Sequence, residues 1–513
     1  MRALTLLSTA AILAGTRTAT GQDIRWNNPL GGSWNLETNW TGGEVPDSFS
    51  ETAIIDAPGE YTVEFDRSTM LRGLRVENPN ASLNLGGGDS LFLSTHVATM
   101  SGIDLTINGA LTVNAGGENR ITEIIVCDFD SYDYRGLRAE GTGTIRLNAH
   151  PDNLETAQIT GFCSLLGLTI GANQTIAGTG RVQARILNDG IITADVPGRV
   201  LHLSTPQYWN FSNEGELRAE SDGILRLEGA IRSERNPAPG RVVVADAEST
   251  VDVSQAYLWD HEIDNSNGGQ CVFGNECVLR AVRLVGAHGI QGGNQLWLDD
   301  DLTNDGTLTV RSDGSAAAVL NVGSSYINVE GTGVVFLNGT VELPTLARIA
   351  GVGGEIRFYA GQTLTGSGQI TANFQNRGTA SPGSADDPIG LIELSSTEWE
   401  QWRDARLVID IGGREIDEYD RITRVHDLIL DGTLTVRVAN GFAPSAGDEF
   451  AVITHFSRTG TFDEVLTEPG SALRWQVRYD PYAVVLTARC ATDFDRDDDT
   501  DLADLALLLA NFG

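Results

Sequence analysis

The chain has 513 residues, 59 of them glycine, and a formal net charge of −34. That length exceeds one small domain and supplies material for a large buried core. A surface this acidic repels phosphate backbones and anionic lipid, so charge argues against nucleic-acid binding and against docking on anionic membranes.

Residues 1–21 read as a secretory signal. Arg2 gives a positive start, Leu4 to Gly15 is apolar or small, and Ala19-Thr20-Gly21 places small residues at a cleavage spacing. The apolar stretch is too short for a membrane span, and no other segment is long and apolar enough to cross as a helix. A secreted or cell-surface mature chain with no transmembrane segment is the expectation. Export permits disulfides. Of the five cysteines, Cys271 and Cys277 flank a turn-like Val-Phe-Gly-Asn-Glu and form the best candidate pair, with Cys127 and Cys163 a second. The odd count leaves at least one thiol free or intermolecular. All 35 basic residues are arginine, a bias that codon usage and adaptation to salt explain equally well.

Residues 22–80 are rich in tryptophan. Trp26, Trp34 and Trp40 are expected to cap the first coil of a stacked structure, whose ends have to be covered. The competing reading is a platform for stacking sugars.

Residues 81–383 repeat. Glu140-Gly-Thr-Gly-Thr-Ile-Arg-Leu-Asn148 matches Glu330-Gly-Thr-Gly-Val-Val-Phe-Leu-Asn338 at six of nine positions. Gly178-Thr-Gly180, Val182, Ile186 and Asn188-Asp-Gly190 keep the same offsets as Gly366-Ser-Gly368, Ile370, Phe374 and Asn376-Arg-Gly378. Asn-x-Gly recurs at Asn213 and Asn304, each time before an alternating apolar run. Glycine takes positive φ and asparagine tolerates it, so each motif is expected to mark a tight corner followed by a short strand. A single coil cannot bury its apolar face, but stacked coils of roughly 20–29 residues build a continuous core of Ile, Leu and Val. The predicted architecture is all-β, a right-handed parallel β-helix, in preference to a sandwich or propeller.

Chemistry-bearing constellations are few. Asp299-Asp300-Asp301 follows Gln295-Leu-Trp-Leu298. Strand alternation would send Asp299 and Asp301 to one face and Asp300 to the other. Two carboxylates on one face suit acid–base work or a metal, and a solvated strand end accounts for them as well. The seven histidines are scattered, and no Gly-x-Ser-x-Gly or P-loop occurs. Were the chain an enzyme, a polysaccharide lyase or glycoside hydrolase would be the expected class.

Residues 384–490 continue β-rich. The tail, 491–513, carries Asp-Phe-Asp-Arg-Asp-Asp-Asp-Thr-Asp-Leu-Ala-Asp over 493–504. Counted from Asp493, carboxylates fall at positions 1, 3, 5, 9 and 12 from Asp493, Asp495, Asp497, Asp501 and Asp504, and Asp499 at position 7 would offer its carbonyl. This is the hard-oxygen pattern of a Ca²⁺ loop. A helix is expected from Leu502 to Phe512.

These segments resemble known families. Thr363-Leu-Thr-Gly-Ser-Gly-Gln-Ile through Asn376-Arg-Gly-Thr-Ala-Ser-Pro-Gly383, with Leu430-Asp-Gly-Thr-Leu-Thr-Val and Gly447-Asp-Glu-Phe-Ala-Val-Ile-Thr454, is similar to the β-strand repeats of secreted bacterial autotransporter passengers. The resemblance covers most of 22–490 and implies a β-helix more than any one activity. The tail resembles a type I dockerin, with Asp at position 12 and no entering helix. It departs from that pattern at Asp498, where Gly makes the turn, and in having one loop where a dockerin has two. The combined expectation is a non-enzymatic extracellular or cell-surface structural or adhesive protein with a calcium-binding tail. The alternative is a polysaccharide-binding or polysaccharide-degrading protein displayed through a dockerin-like module. The implied partners are a cohesin-like protein or a cell-surface polysaccharide.

Overall fold

The computed structural model describes residues 22–93, 104–126, 137–161, 167–205, 211–234, 239–274, 276–291, 294–311, 318–322, 326–330, 334–338, 347–351, 354–395, 397–467, 473–490, 492 and 501–511. The chain divides into two compact units, one up to Phe211 and one from Ser212. Each is built of short strands hydrogen-bonded in parallel to the strands one coil earlier and one coil later, which makes each a parallel β-helix.

In the first unit the strands form three ladders. One runs through Tyr61–Phe65, Ala81–Leu85, Ala110–Asn114, Thr144–Asn148, the first half of Thr175–Gln183, and Ile191–Ala194. The reason is visible in the alternation. Val63, Leu83, Leu111, Ile145, Ile176 and Ile192 stand in register, each fully buried, while the residues between them point out. Each such side chain contributes roughly 1.5–3 kcal/mol on burial. Parallel pairing keeps identical faces inward at every level, so the core is a column. Along this ladder the interval from one coil to the next varies from the 16 positions between Thr175 and Ile191 to the 34 between Ala110 and Thr144.

The Gly-x-Gly motifs are corners inside continuous strands. Thr175–Gln183 bends at Gly178 (φ +110°) and Gly180 (φ +147°), so its first half pairs in one ladder and Arg181–Gln183 in the next. In the second unit Thr363–Ile370 bends at Gly366 (φ +95°) in the same way. The nine-residue repeat supplies the rung below: Leu147 pairs with Gly178, and Leu337 with Gly366. The two matched segments therefore occupy equivalent places in the two units.

The Asn-x-Gly motifs turn by a different device from the one expected. Neither Asn188, Asn304 and Asn376 nor Gly190, Gly306 and Gly378 lies at positive φ. The buried Asn side chain instead accepts the N–H of the glycine two residues on, at 3.1 Å for Asn188, 3.4 Å for Asn304 and 3.0 Å for Asn376. This side-chain turn replaces a left-handed one. Glycine is required because the neighbouring coil is too close: a Cβ at Gly190 or Gly378 would sit 2.3 Å from the Gln174 or Gln362 carbonyl oxygen.

The second unit also has three ladders. Its core column includes Leu308, Val335, Leu364, Ala380, Leu407 and Leu434. Parallel pairing continues to Glu464–Thr467. An antiparallel hairpin, Leu473–Tyr479 with Ala483–Cys490, then folds onto Glu449–Gly460. Phe450 packs there at 5.3 Å from the Tyr419 ring and 5.7 Å from Trp475. Among the described residues the α-helix is Leu502–Asn511, one residue short of the expected end.

Cys271 and Cys277, the pair favoured from the sequence, are buried free thiols. Cys271 belongs to the strand Gln270–Val272 and Cys277 to Cys277–Arg280, and these pair with different halves of the bent strand Thr250–Trp259. The two strands therefore belong to different ladders and are not the paired arms of a hairpin that would join the thiols. Cys127 and Cys163 lie outside the described residues.

Candidate functional site

The three N-terminal tryptophans pack on one another in the interior. Trp26, Trp34 and Trp40 are buried, with Trp40 edge-on to Trp26 at 5.0 Å and to Trp34 at 4.6 Å. The Trp40 indole N–H donates to the Trp34 carbonyl at 2.7 Å. Rings packed on each other in this way offer no open face to a sugar.

Of the six expected calcium ligands, Asp493, Asp495, Asp497 and Asp499 lie outside the described residues, as do residues 1–21, expected from the sequence to be a secretory signal. Asp501 and Asp504 are placed, and they start the C-terminal helix. Asp501 Oδ1 accepts the Ala503 N–H at 2.6 Å, and Asp504 Oδ2 reaches back to accept the Asp501 N–H at 2.8 Å. This is a reciprocal cap of the kind that Ser/Thr-x-x-Glu forms, made here by two aspartates. The same Asp-x-x-Asp spacing that suggested ligand positions 9 and 12 therefore also caps a helix. Among the described residues no three His, Cys, Asp or Glu side chains converge to hold a metal ion.

The aspartate triplet departs from the expected alternation. The strand ends at Leu298, so the pleat stops before the triplet begins. Asp299 and Asp300 both lie beside Arg280, at 3.9 Å and 3.5 Å, whereas Asp301 turns to the next coil and accepts the Asn328 N–H and side-chain amide at 2.9 Å each.

What the sequence reading passed over is the outer side of the neighbouring ladder in the second unit. Ala230, Tyr257, Val278, Trp297, Asn321 and Ala350 stand in one register column. The Tyr257 and Trp297 rings are 45% and 37% exposed, while their strand neighbours Leu258, Leu296 and Leu298 are buried. The next column sets Arg232, Trp259 and Arg280 in line, with the Arg232 guanidinium 4.7 Å and the Arg280 guanidinium 5.9 Å from the Trp259 ring. Each cation–π contact holds a cation over the indole. Toward the other flank the Asn321 amide, within the column, donates to Gln295 Oε1 at 3.5 Å. The signal was present in Gln295-Leu-Trp-Leu298: when the leucines of an alternating strand face in, the tryptophan between them must face out.

Several ionisable groups are buried for structural reasons. Burial lowers His261 and His288 to about 4 each, so both rings are neutral. Burial pushes the Asp420 carboxyl up to about 9, against the pull of the Asp410 and Gly390 N–H groups that donate to it at 2.9 and 2.7 Å. Asp410 beside it is held by Arg437 through two contacts, 2.7 and 2.5 Å.

Fold and surface together define a class, the parallel β-helix proteins with an exposed aromatic and arginine face. No family model and no curated protein matches the chain. Among solved structures, it is similar to the Hap adhesin of Haemophilus influenzae, at 11% identity and a TM-score of 0.28 over 85% of this chain. The similarity spans 63% of that adhesin's length. Among the described residues no helix is long and apolar enough to cross a membrane.

Proposed function

We propose that this chain is a non-enzymatic extracellular or cell-surface protein, structural or adhesive in role, built on β-helical ladders and carrying a calcium-responsive C-terminal tail. The observation that carries the reading is the pair of exposed rings, Tyr257 and Trp297, fixed on a ladder whose inner side is fully packed. Rings displayed on a rigid sheet suit a contact surface, because the backbone that carries them is already ordered before binding. The secretory signal read at residues 1–21 supports the location.

The test is incubation of the mature chain with a panel of plant and algal polysaccharides in calcium. Retention without release of reducing ends or unsaturated products is the expected result, and release would overturn the reading.

A second reading, a polysaccharide-degrading enzyme, draws on Asp299 and Asp300 next to the same face. For the tail, calcium would be held by Asp493, Asp495, Asp497, Asp499, Asp501 and Asp504, and its role is to neutralise their mutual repulsion and order the loop before the helix. Titrating calcium into the full chain, followed by calorimetry and by amide protection of 502–511, tests this; no heat and no added protection would sink it. A cohesin-like protein is the partner that the dockerin resemblance of this tail supplies.

A further inference from the structure

We propose that the column through Tyr257 and Trp297 is a docking track for an uncharged, extended polysaccharide chain lying across the strands, with the two rings as stacking platforms for alternate sugars. The inference rests on the binding reading above and names its ligand class.

Spacing is the first argument. Tyr257 pairs with Val278 and Val278 with Trp297, so the two rings stand two rungs apart. Two rungs are about 9.6 Å at the usual strand separation, which is about the length of two linked pyranose rings in an extended chain. The Val278 between them is short enough to let the intervening sugar pass. Pyranose rings present faces of C–H bonds, slightly positive, to which the negative face of an aromatic ring is complementary.

Charge is the second. The net charge of the protein is −34, yet the six positions of this column, from Ala230 to Ala350, hold no charged side chain. The guanidiniums of the Trp259 column are already matched: Arg232 lies 3.8 Å from Glu234, and Arg280 lies beside Asp299 and Asp300. That column leaves no excess of positive charge to hold an acidic polymer, and the protein's overall field repels one. These long, half-exposed ion pairs contribute little to stability. Their donors and acceptors, with the Gln295 amide on the opposite flank and the Asn321 amide within the column itself, are suited to sugar hydroxyls. The Trp259 ring, between Arg232 and Arg280, positions the guanidiniums and is not itself a platform.

The test is affinity electrophoresis of the full chain in native gels containing a soluble β-glucan, β-mannan or β-xylan, with alginate as the anionic polymer. At least one neutral polymer should retard the wild type, and alginate should not. Trp297→Ala and Tyr257→Ala should each weaken binding about tenfold, the equivalent of one lost stacking contact. The double variant should migrate as if no polymer were present. Phe456→Ala, removing a ring 69% exposed elsewhere on the surface, should bind as the wild type. Unchanged circular dichroism and thermal midpoints establish that the variants are folded.

Absence of retardation by every neutral polymer, retardation by alginate alone, or full binding by the double variant overturns the proposal. The last result would leave the adhesive reading standing with its contact surface elsewhere. Conversely, reducing-end release that disappears in the double variant would overturn the non-enzymatic reading and keep the track.

Discussion

The Asn213 side chain and the His261 ring hold each other inside the second unit. The Asn213 amide lies 3.3 Å from His261 Nε2, and His261 Nδ1 lies 2.7 Å from the Trp259 carbonyl. A carbonyl oxygen can only accept, so Nδ1 carries the proton, and in the neutral ring Nε2 accepts from the amide. A second proton would place two N–H donors face to face in a buried site.

That arrangement sets a pH dependence. His261 and His288 have folded pKa values of about 4, below the 6.5 of the free side chain. Between those limits the unfolded chain binds more protons than the folded one, so stability is fully present above pH 6.5 and is lost as pH falls toward 4. Thermal midpoints from pH 7.5 to 4 should decline over this window, and His261→Gln should decline less steeply relative to its own value at pH 7.5. Parallel curves would refute the assignment.

Asp420 acts in the opposite direction. Its folded pKa of about 9 stands above the ordinary aspartate value of 3.8, so the folded chain keeps a proton that the unfolded chain releases. The sign follows: between about pH 4 and 9, each step upward favours unfolding through this group. Asp420→Asn, which cannot ionise, should gain on the wild type steadily as pH rises across that range, whatever its offset at pH 4. A constant difference in thermal midpoint would show that Asp420 is charged in the fold.

The corner at Gly178 admits no side chain. Its φ is +110°, and an added Cβ would meet the Leu147 carbonyl oxygen at 2.0 Å. Gly178→Ala combines backbone strain with overpacking and should cost roughly 2–4 kcal/mol in denaturant unfolding. Gly198→Ala, at φ +64° with open space around it, should cost about 1 kcal/mol. Equal effects would mean that the coil contact is not the cause.

Burial pushes the Cys271 and Cys277 thiols well above their ordinary value. The thiolate is the reactive form, so both should resist alkylation at pH 8 in the folded chain and react fully in denaturant. Peptide mapping by mass spectrometry reads each site separately. A Cys271–Cys277 disulfide in protein purified from an oxidising compartment would overturn the thiol assignment.

The helix at 502–511, the strand alternation and the Gly-x-Gly corners were legible because each depends on residues close in the chain. Asp501 and Asp504 show the limit of that locality: one spacing serves a cation loop and a helix cap equally. The Asn-x-Gly turns were located correctly but explained wrongly. The need for glycine at Gly190 and Gly378 comes from the carbonyls of Gln174 and Gln362 on the neighbouring stretch of coil, and no local rule contains that contact.

The sequence by itself determined the class of structure. Alternation decides which side of each strand is apolar, and repetition decides that such strands stack, because an isolated coil leaves its apolar face in water. Register was left to the tertiary structure. Coils of unequal length bring Tyr257, Val278 and Trp297 into one column although the intervals between them in the chain differ, and they leave Asp299 and Asp300 on the same arginine. Where an outward side chain finds its neighbour is fixed by hydrogen bonds between successive coils, so the exposed face became readable only once the coils were stacked.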